Sequence, residues 1–372
     1  MTEPDWASAV LTIDLGAIAD NYRTLAAKVR PARCAVVVKA DAYGLGIEQV
    51  VPCLEAAGAN FFFVAQPEEG VRVRQLAPRA HVAVLNGLMA GVEADYAHNR
   101  LIPVLNDLGQ IDRWTRLARA GRERLGAIIH VDTGMNRLGL PPAELDQLAQ
   151  DPSRLAGLDL RCIMSHLACA DVAGHPLTVQ QADAFRAALA RLPEAAASLA
   201  NSSGIFRGEA LHFDLARPGV ALYGVNPTPE SPNPMRPCVR LDARILQVRD
   251  VDSPMTVGYG ASHHVTGPGK IATIAVGYAD GYLRSLGGRA AVGLGGRLAP
   301  VVGRISMDLT TVDVTDFAED TVHAGGWVEV IGPALSVDTV AEAAGTIGYE
   351  ILTSLGARYR RRYVGAADGQ GA

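Results

Sequence analysis

From Leu15 to Ser202, short runs of apolar and β-branched residues alternate with longer stretches whose apolar positions recur at helical spacing. Parallel strands joined by crossover helices read in this way. The runs Ala35–Lys39, Phe61–Ala65, Val82–Leu85, Ile102–Leu105, Ala127–Val131, Leu158–Ser165 and Ala197–Asn201 predict strands, with an eighth near Phe213–Leu215. Leu15–Val29, Ile47–Ala57, Ile111–Ala120 and Thr178–Leu192 predict helices between them. Eight such units predict an α/β fold, a TIM-type (β/α)8 barrel. A doubly wound sheet has the same alternation, because closure leaves no mark in a sequence.

The pattern changes after Asn226–Pro237, where five prolines fall in twelve positions. That composition favours extended chain and suits a domain boundary. Beyond it, Val239–Val248, Lys270–Val276, Ala290–Leu294, Leu298–Val314 and Trp327–Ile331 read as strands, with helices near Asp338–Ala344 and Tyr349–Leu355. The expected division is a barrel over residues 1–236 and a mostly β domain over 237–372, to which residues 1–13 could pair. The glycine-rich tail after Val364 reads as disordered.

Bulk properties narrow the function. The 372 residues are 49% hydrophobic and 20% charged, enough for sizeable cores. The net charge of -5 gives no general attraction to nucleic acid or to an anionic membrane, so an anionic ligand needs a local site. No apolar run is long enough for a bilayer, and Met1–Trp6 carries no apolar leader, so a cytoplasmic location is expected. Cys34, Cys53, Cys162, Cys169 and Cys238 are odd in number and form no CxxC pair, which predicts reduced thiols and no metal site.

Lysine is scarce. Lys28, Lys39 and Lys270 are the only three, so chemistry that needs a primary amine has a short candidate list. Lys39 ends the run Ala35-Val36-Val37-Val38, at the carboxyl end of the first predicted strand, where barrels carry their active sites. By itself a strand-end lysine is as readily a solvated side chain or a partner of Asp41.

Longer motifs decide between these readings. Val37-Val38-Lys39-Ala40-Asp41-Ala42-Tyr43-Gly44-Leu45-Gly46 resembles the cofactor-lysine motif of the alanine racemase family. Six further segments resemble the family in its order: Asp132–Gly139, Ser165–Ala168, Ala200–Gly204, Arg217–Gly224, Gly258–Ala261 and Gly303–Asp308. Together they cover both predicted domains.

This resemblance implies pyridoxal 5'-phosphate joined to Lys39, with Tyr43, His166, Asn201, Ser202, Arg217, Gly219, Val220 and Tyr359 around the cofactor. It implies Arg217 facing the pyridine nitrogen, and Arg137 and Met307 near the substrate. Lys39 and Tyr259 would be two opposed bases exchanging a proton at the α-carbon of alanine, supported by His166, Arg217 and Arg137. It also implies a homodimer whose second domain completes the partner's site. Tyr359 takes its role only if the last helix carries an insertion.

One departure stands out. Many family members carry a carbamylated lysine seven positions before the arginine matched by Arg137, and this chain has His130 there. Imidazole forms no stable carbamate, so another group or a bound anion must orient Arg137. Three other readings remain open at this level: a broad-specificity amino-acid racemase, a decarboxylase of the same barrel superfamily, and a non-catalytic pyridoxal-phosphate carrier. The last resembles the barrel alone and leaves Tyr259 and Met307 without a use.

Overall fold

The first strand, β1 (Ala9–Asp14), leads directly into the helix Leu15–Lys28, where the Asp14 side chain accepts from Ala17 N at 2.9 Å. That bond satisfies one of the unpaired N–H groups of the first turn. The computed structural model describes residues 6–121 and 123–365; the glycine-rich tail beyond Gly365 lies outside the described residues.

The barrel strands follow as β2 (Arg33–Cys34), β3 (Val36–Val37), β4 (Phe61–Val64), β5 (His81–Val84), β6 (Ile102–Leu105), β7 (Leu125–His130), β8 (Leu158–Met164), β9 (Ala197–Ser198) and β10 (Leu215–Ala216). Strands β3 to β9 form one parallel sheet in chain order, and β10 pairs in parallel with β2. Runs such as Phe61-Phe62-Phe63-Val64 are buried throughout, as befits parallel strands covered on both faces.

Backbone bonds close the ring and exclude the doubly wound alternative. Asp214 N and Arg217 N donate to Ala197 O and Ala200 O on one side. On the other, Ala35 N and Val37 N donate to Ala216 O and Pro218 O. The eighth strand falls slightly later than expected, because Phe213 turns into the left-handed region at φ 50°.

Residues 226–237 form no helix or strand. After them come β11 (Val239–Val251), β12 (Thr256–Val257), β13 (His263–His264), β14 (Gly269–Ile274), β15 (Ala291–Leu294), β16 (Arg297–Val302), β17 (Thr310–Asp313), β18 (Trp327–Ile331) and β19 (Arg360–Val364). The order β14-β17-β16-β15-β18-β11 closes on itself, because the long β11 pairs with β18 along one stretch and with β14 along another. β1 joins this second sheet, antiparallel to β11 and parallel to β19. The expected single strand Leu298–Val314 is two, split by a loop that starts at Gly303 (φ +69°) and carries Met307 and Asp308.

The local feature that matters most follows Lys39. Ala40, Asp41, Ala42 and Tyr43 all lie in the left-handed region, at φ 54–57°, before Gly44 at φ +81°. For residues with a Cβ this costs about 1–2 kcal/mol each, so the turn must be held from outside. Ala42 N donates to Val38 O, Gly44 N to Ala40 O, and Gly46 N to Asp41 O. The Asp41 carboxylate accepts from Ile47 N at 2.8 Å, so it starts the next helix and does not pair with Lys39.

Gly44 backs onto the helix Gly348–Ser354, and a Cβ there would come within 2.5 Å of Leu352 O. Gly44→Ala is therefore expected to destabilise the fold by about 2 kcal/mol or more. A thermal melt of the variant indistinguishable from that of the parent would show that the turn tolerates displacement.

Candidate active site

The carboxyl ends of the barrel strands surround a cavity of about 460 Å³. Lys39 and Tyr43 reach it from the turn after β3, Arg137 from the loop after β7 and His166 from the loop after β8. Asn201 and Ser202 enter after β9, and Arg217, Gly219 and Val220 after β10. With His130, ten of the residues singled out from the sequence thus meet in one place. Phe63, Leu85, Asn86, Met164 and Tyr349 also line it, and sequence reasoning missed them. Phe63, Leu85 and Met164 belong to predicted strands, and their position near the strand ends was the available signal.

One wall is suited to a phosphate. Ser202 Oγ accepts from Gly219 N at 2.9 Å and from Ala221 N at 3.3 Å, which gathers a hydroxyl and backbone donors at one point. Gly219 must lack a side chain, because a Cβ would lie 2.2 Å from Tyr43 Oη. Behind it the ring of Tyr43 packs 4.7 Å from Tyr223 and 6.0 Å from Tyr349. Tyr223 Oη donates to Val37 O, tying this stack to the strand that leads into Lys39.

Arg217 forms the floor. Its buried guanidinium donates to Ser165 O at 2.6 Å and to Ser198 Oγ. Burial lowers its pKa to about 10, which leaves it charged at neutral pH. His166 Nδ1 lies 3.4 Å away, and since a guanidinium only donates, Nδ1 accepts and the ring proton sits on Nε2. Burial, with Arg217 next in weight, drives His166 well below the ordinary histidine range. Lys39 is also lowered, by burial first and Arg137 second, against an opposing pull from Glu69.

His130 lines the same cavity, with Nδ1 2.7 Å from Asn106 Oδ1. The Asn106 amide nitrogen donates to Val104 O at 3.0 Å and Leu85 O at 3.4 Å, which fixes Oδ1 as the acceptor. His130 therefore carries its proton on Nδ1 and keeps a lone pair on Nε2. Burial and Arg217 lower its pKa to about 4. Arg137 makes no hydrogen bond or ion pair to the described residues, so its guanidinium is free to take an anion.

Three of the expected residues are elsewhere. Tyr259 and Met307 stand on the surface of the second domain, 71% and 54% exposed. Tyr359 is a correction: it lines a separate cleft of about 660 Å³ with Asp280, Asp308 and Arg358, and its buried hydroxyl has no partner among the described residues. The tyrosine that lines the barrel-mouth cavity with Tyr43 is Tyr349, at the start of the helix Gly348–Ser354. No inserted residue is needed to bring it there.

The neutral His130 makes stability pH-dependent. An unfolded histidine takes up a proton near its ordinary pKa of 6.5, whereas this folded one resists until about 4. Its contribution is complete above about 6.5 and is lost as pH falls through that window. Replacing it by glutamine, His130→Gln, should make the melting temperature fall less between about pH 6.5 and 4 than it does in the parent. Parallel curves would place the acid sensitivity elsewhere.

Comparison with known proteins accounts for this arrangement. Residues 13–227 match the alanine racemase N-terminal domain and residues 238–363 the alanine racemase C-terminal domain. The chain is 54% identical to an alanine racemase of Rhodospirillum rubrum over 374 aligned residues, covering all of both chains. It is 48% identical to a catabolic alanine racemase of Mesorhizobium japonicum, over 96% of this chain and 94% of that one. The alanine racemase of Bartonella henselae, crystallised with covalently bound pyridoxal phosphate, superposes with a TM-score of 0.94 at 43% identity, over 96% of this chain and all of the other. The chain therefore belongs to the alanine racemase family.

Proposed function

We propose that the protein interconverts L- and D-alanine with pyridoxal phosphate as its cofactor, using Lys39 and Tyr259 as bases on opposite faces of the α-carbon. The observation that carries this reading is the cavity at the barrel mouth, where one half-buried lysine amine shares a space with a built anion site and two guanidinium groups. When bound, the cofactor withdraws electrons from the α-carbon and so makes its proton removable.

The residues present fit that cofactor. Lys39 would hold it covalently. Ser202, the N–H groups of Gly219 and Val220, and the hydroxyls of Tyr43 and Tyr349 would hold its phosphate, and the empty Cβ position of Gly219 makes room for Tyr43 in that cradle. Arg217 would lie against the ring nitrogen. A guanidinium is too weak an acid to give that nitrogen its proton, which limits electron withdrawal and favours returning the proton to carbon.

Each base then needs its own setting. The Lys39 amine is lowered by burial and by Arg137, which increases the neutral fraction able to take a proton. Arg137, unpaired in the free protein, can take the substrate carboxylate, with the Nε2 lone pair of His130 beside it as a neutral acceptor. Tyr259 and Met307 do not line the cavity of their own chain, which supports a homodimer in which they enter the partner's cavity. A cytoplasmic site of action belongs to the same proposal. All five cysteines are free thiols, and among the described residues no helix is long and apolar enough to cross a membrane.

Incubation with each L-amino acid in deuterium oxide, followed by chiral analysis, tests the reaction and its substrate together. Alanine should racemise with deuterium at Cα; carbon dioxide release instead would sink the proposal. Lys39→Ala should lose the visible absorbance of the bound cofactor and essentially all activity, because neither Lys28 nor Lys270 lines the cavity. The shared site has a separate test. Equal amounts of inactive Lys39→Ala and Tyr259→Ala subunits, dissociated and reassembled at random, should regain roughly a quarter of parental activity, since half the dimers are mixed and each has one complete site. No recovery despite proven exchange would put both bases on one chain.

A further inference from the structure

The turn that holds Lys39 depends on a carboxylate that belongs to another segment. Glu69 lies in the first turn of the helix Pro67–Leu76, after β4. One of its oxygens, Oε2, accepts from Ala65 N at 2.9 Å and Gln66 N at 3.1 Å, which is ordinary capping of that helix. Capping needs only this oxygen. The other, Oε1, reaches 29 residues back in the chain and accepts from Ala40 N at 2.6 Å, at the first left-handed residue after Lys39. A carboxylate can accept at both oxygens, whereas an amide has one acceptor and would set an N–H against an N–H on the other side.

The charge matters as well as the bonds. Lys39 is faced by Arg137 from the loop after β7, by His166 from the loop after β8, and by Glu69 from the helix after β4. Tyr43, Tyr349 and Glu350 border the smaller cavity beside it. Arg137 acts against a positive amine there, and Glu69 acts in its favour.

We propose that Glu69 is a positioning residue for Lys39: its carboxylate pins the left-handed turn to the end of β4 and sets a negative charge against Arg137 at the amine. The proposal rests on the reading of Lys39 as the reacting amine. Its geometric half stands on three hydrogen bonds, one of them joining two barrel units at the catalytic end.

The scarcity of lysine makes the test direct. Full-length protein freed of cofactor can be labelled with acetic anhydride across a range of pH and read peptide by peptide, with Lys28 and Lys270 as internal references. In Glu69→Gln the titration of Lys39 should move to lower pH while the other two stay. In Glu68→Gln, which removes an exposed neighbouring charge, Lys39 should not move. Glu69→Asp keeps the charge but shortens the reach, so Lys39 should titrate near its parental pH while kcat falls on the order of tenfold or more at little-changed KM. An unmoved Lys39 in Glu69→Gln, an equal movement in Glu68→Gln, or parental kcat in Glu69→Asp would each overturn the proposal. Glu69→Asp suffices if Glu69→Gln does not fold. Cofactor absorbance surviving in Lys39→Ala would instead refute the role of Lys39 and leave the labelling result standing.

Discussion

The left-handed turn at Ala40–Tyr43 is the constraint on which the site depends. A strand that continued past Val38 would carry Lys39 and Tyr43 away from each other. The reversed hand instead turns the chain within five residues, so that the amine and the phenol enter one cavity. The surroundings are shaped to this turn. Gly219 leaves space for Tyr43, Gly44 meets Leu352 O closely, and Asp41 spends its carboxylate on the following helix. A strained conformation persists only where its neighbours over-determine it, and here they come from the loop after β10, the helix after β4 and the helix Gly348–Ser354.

The second organising feature is positive charge in a cavity whose lining, among the described residues, holds no carboxylate. The chain is acidic overall, yet Lys39, Arg137 and Arg217 all line the cavity. Arg217 is buried against a backbone carbonyl and a serine hydroxyl, acceptors that satisfy its N–H groups without cancelling its charge. Burying a charge in this way is costly unless something anionic arrives. Burial first, and the Arg217 charge next, hold His130 and His166 below the ordinary histidine range, so both imidazoles serve as fixed hydrogen-bonding groups. A ligand that brings a phosphate and a substrate carboxylate supplies the anions that the lining of this cavity lacks.

Much of this was legible in the sequence, for definable reasons. Buried parallel strands are continuous apolar runs, so the barrel strands could be counted, and the residues just past their ends carried the chemistry. The turn after Lys39 was not legible: Ala-Asp-Ala-Tyr contains no glycine, and tertiary contacts override the preference of these residues for negative φ. The Asn106–His130 pair and the Glu69–Ala40 bond join segments 24 and 29 residues apart, which no local pattern reveals. Tyr349 was absorbed into a predicted helix as its first residue, and Tyr359 was chosen in its place by counting through the carboxyl-terminal region. Only the fold distinguishes a tyrosine that faces the barrel from one buried in the second domain.

The exposed residues of the second domain complete the argument. Met307 is not on a loose loop: its carbonyl accepts from Ala279 N at 2.9 Å, and Ser306 accepts from Tyr278 N and donates to Leu309 O. Asp308 is held by Arg358 at 2.8 Å. β1 runs from the second sheet straight into the first barrel helix, so the two domains are joined at the start of the chain as well as through residues 226–237. An ordered loop on a domain tied at two points has little freedom to swing Met307 into its own barrel. Held out to solvent on a built scaffold, Met307 fits the partner-facing surface proposed above, as does the exposed Tyr259. Under the proposed reading that interface supplies the second base, so assembly and catalysis share one equilibrium, and a protomer that folds correctly on its own still lacks half of its chemistry.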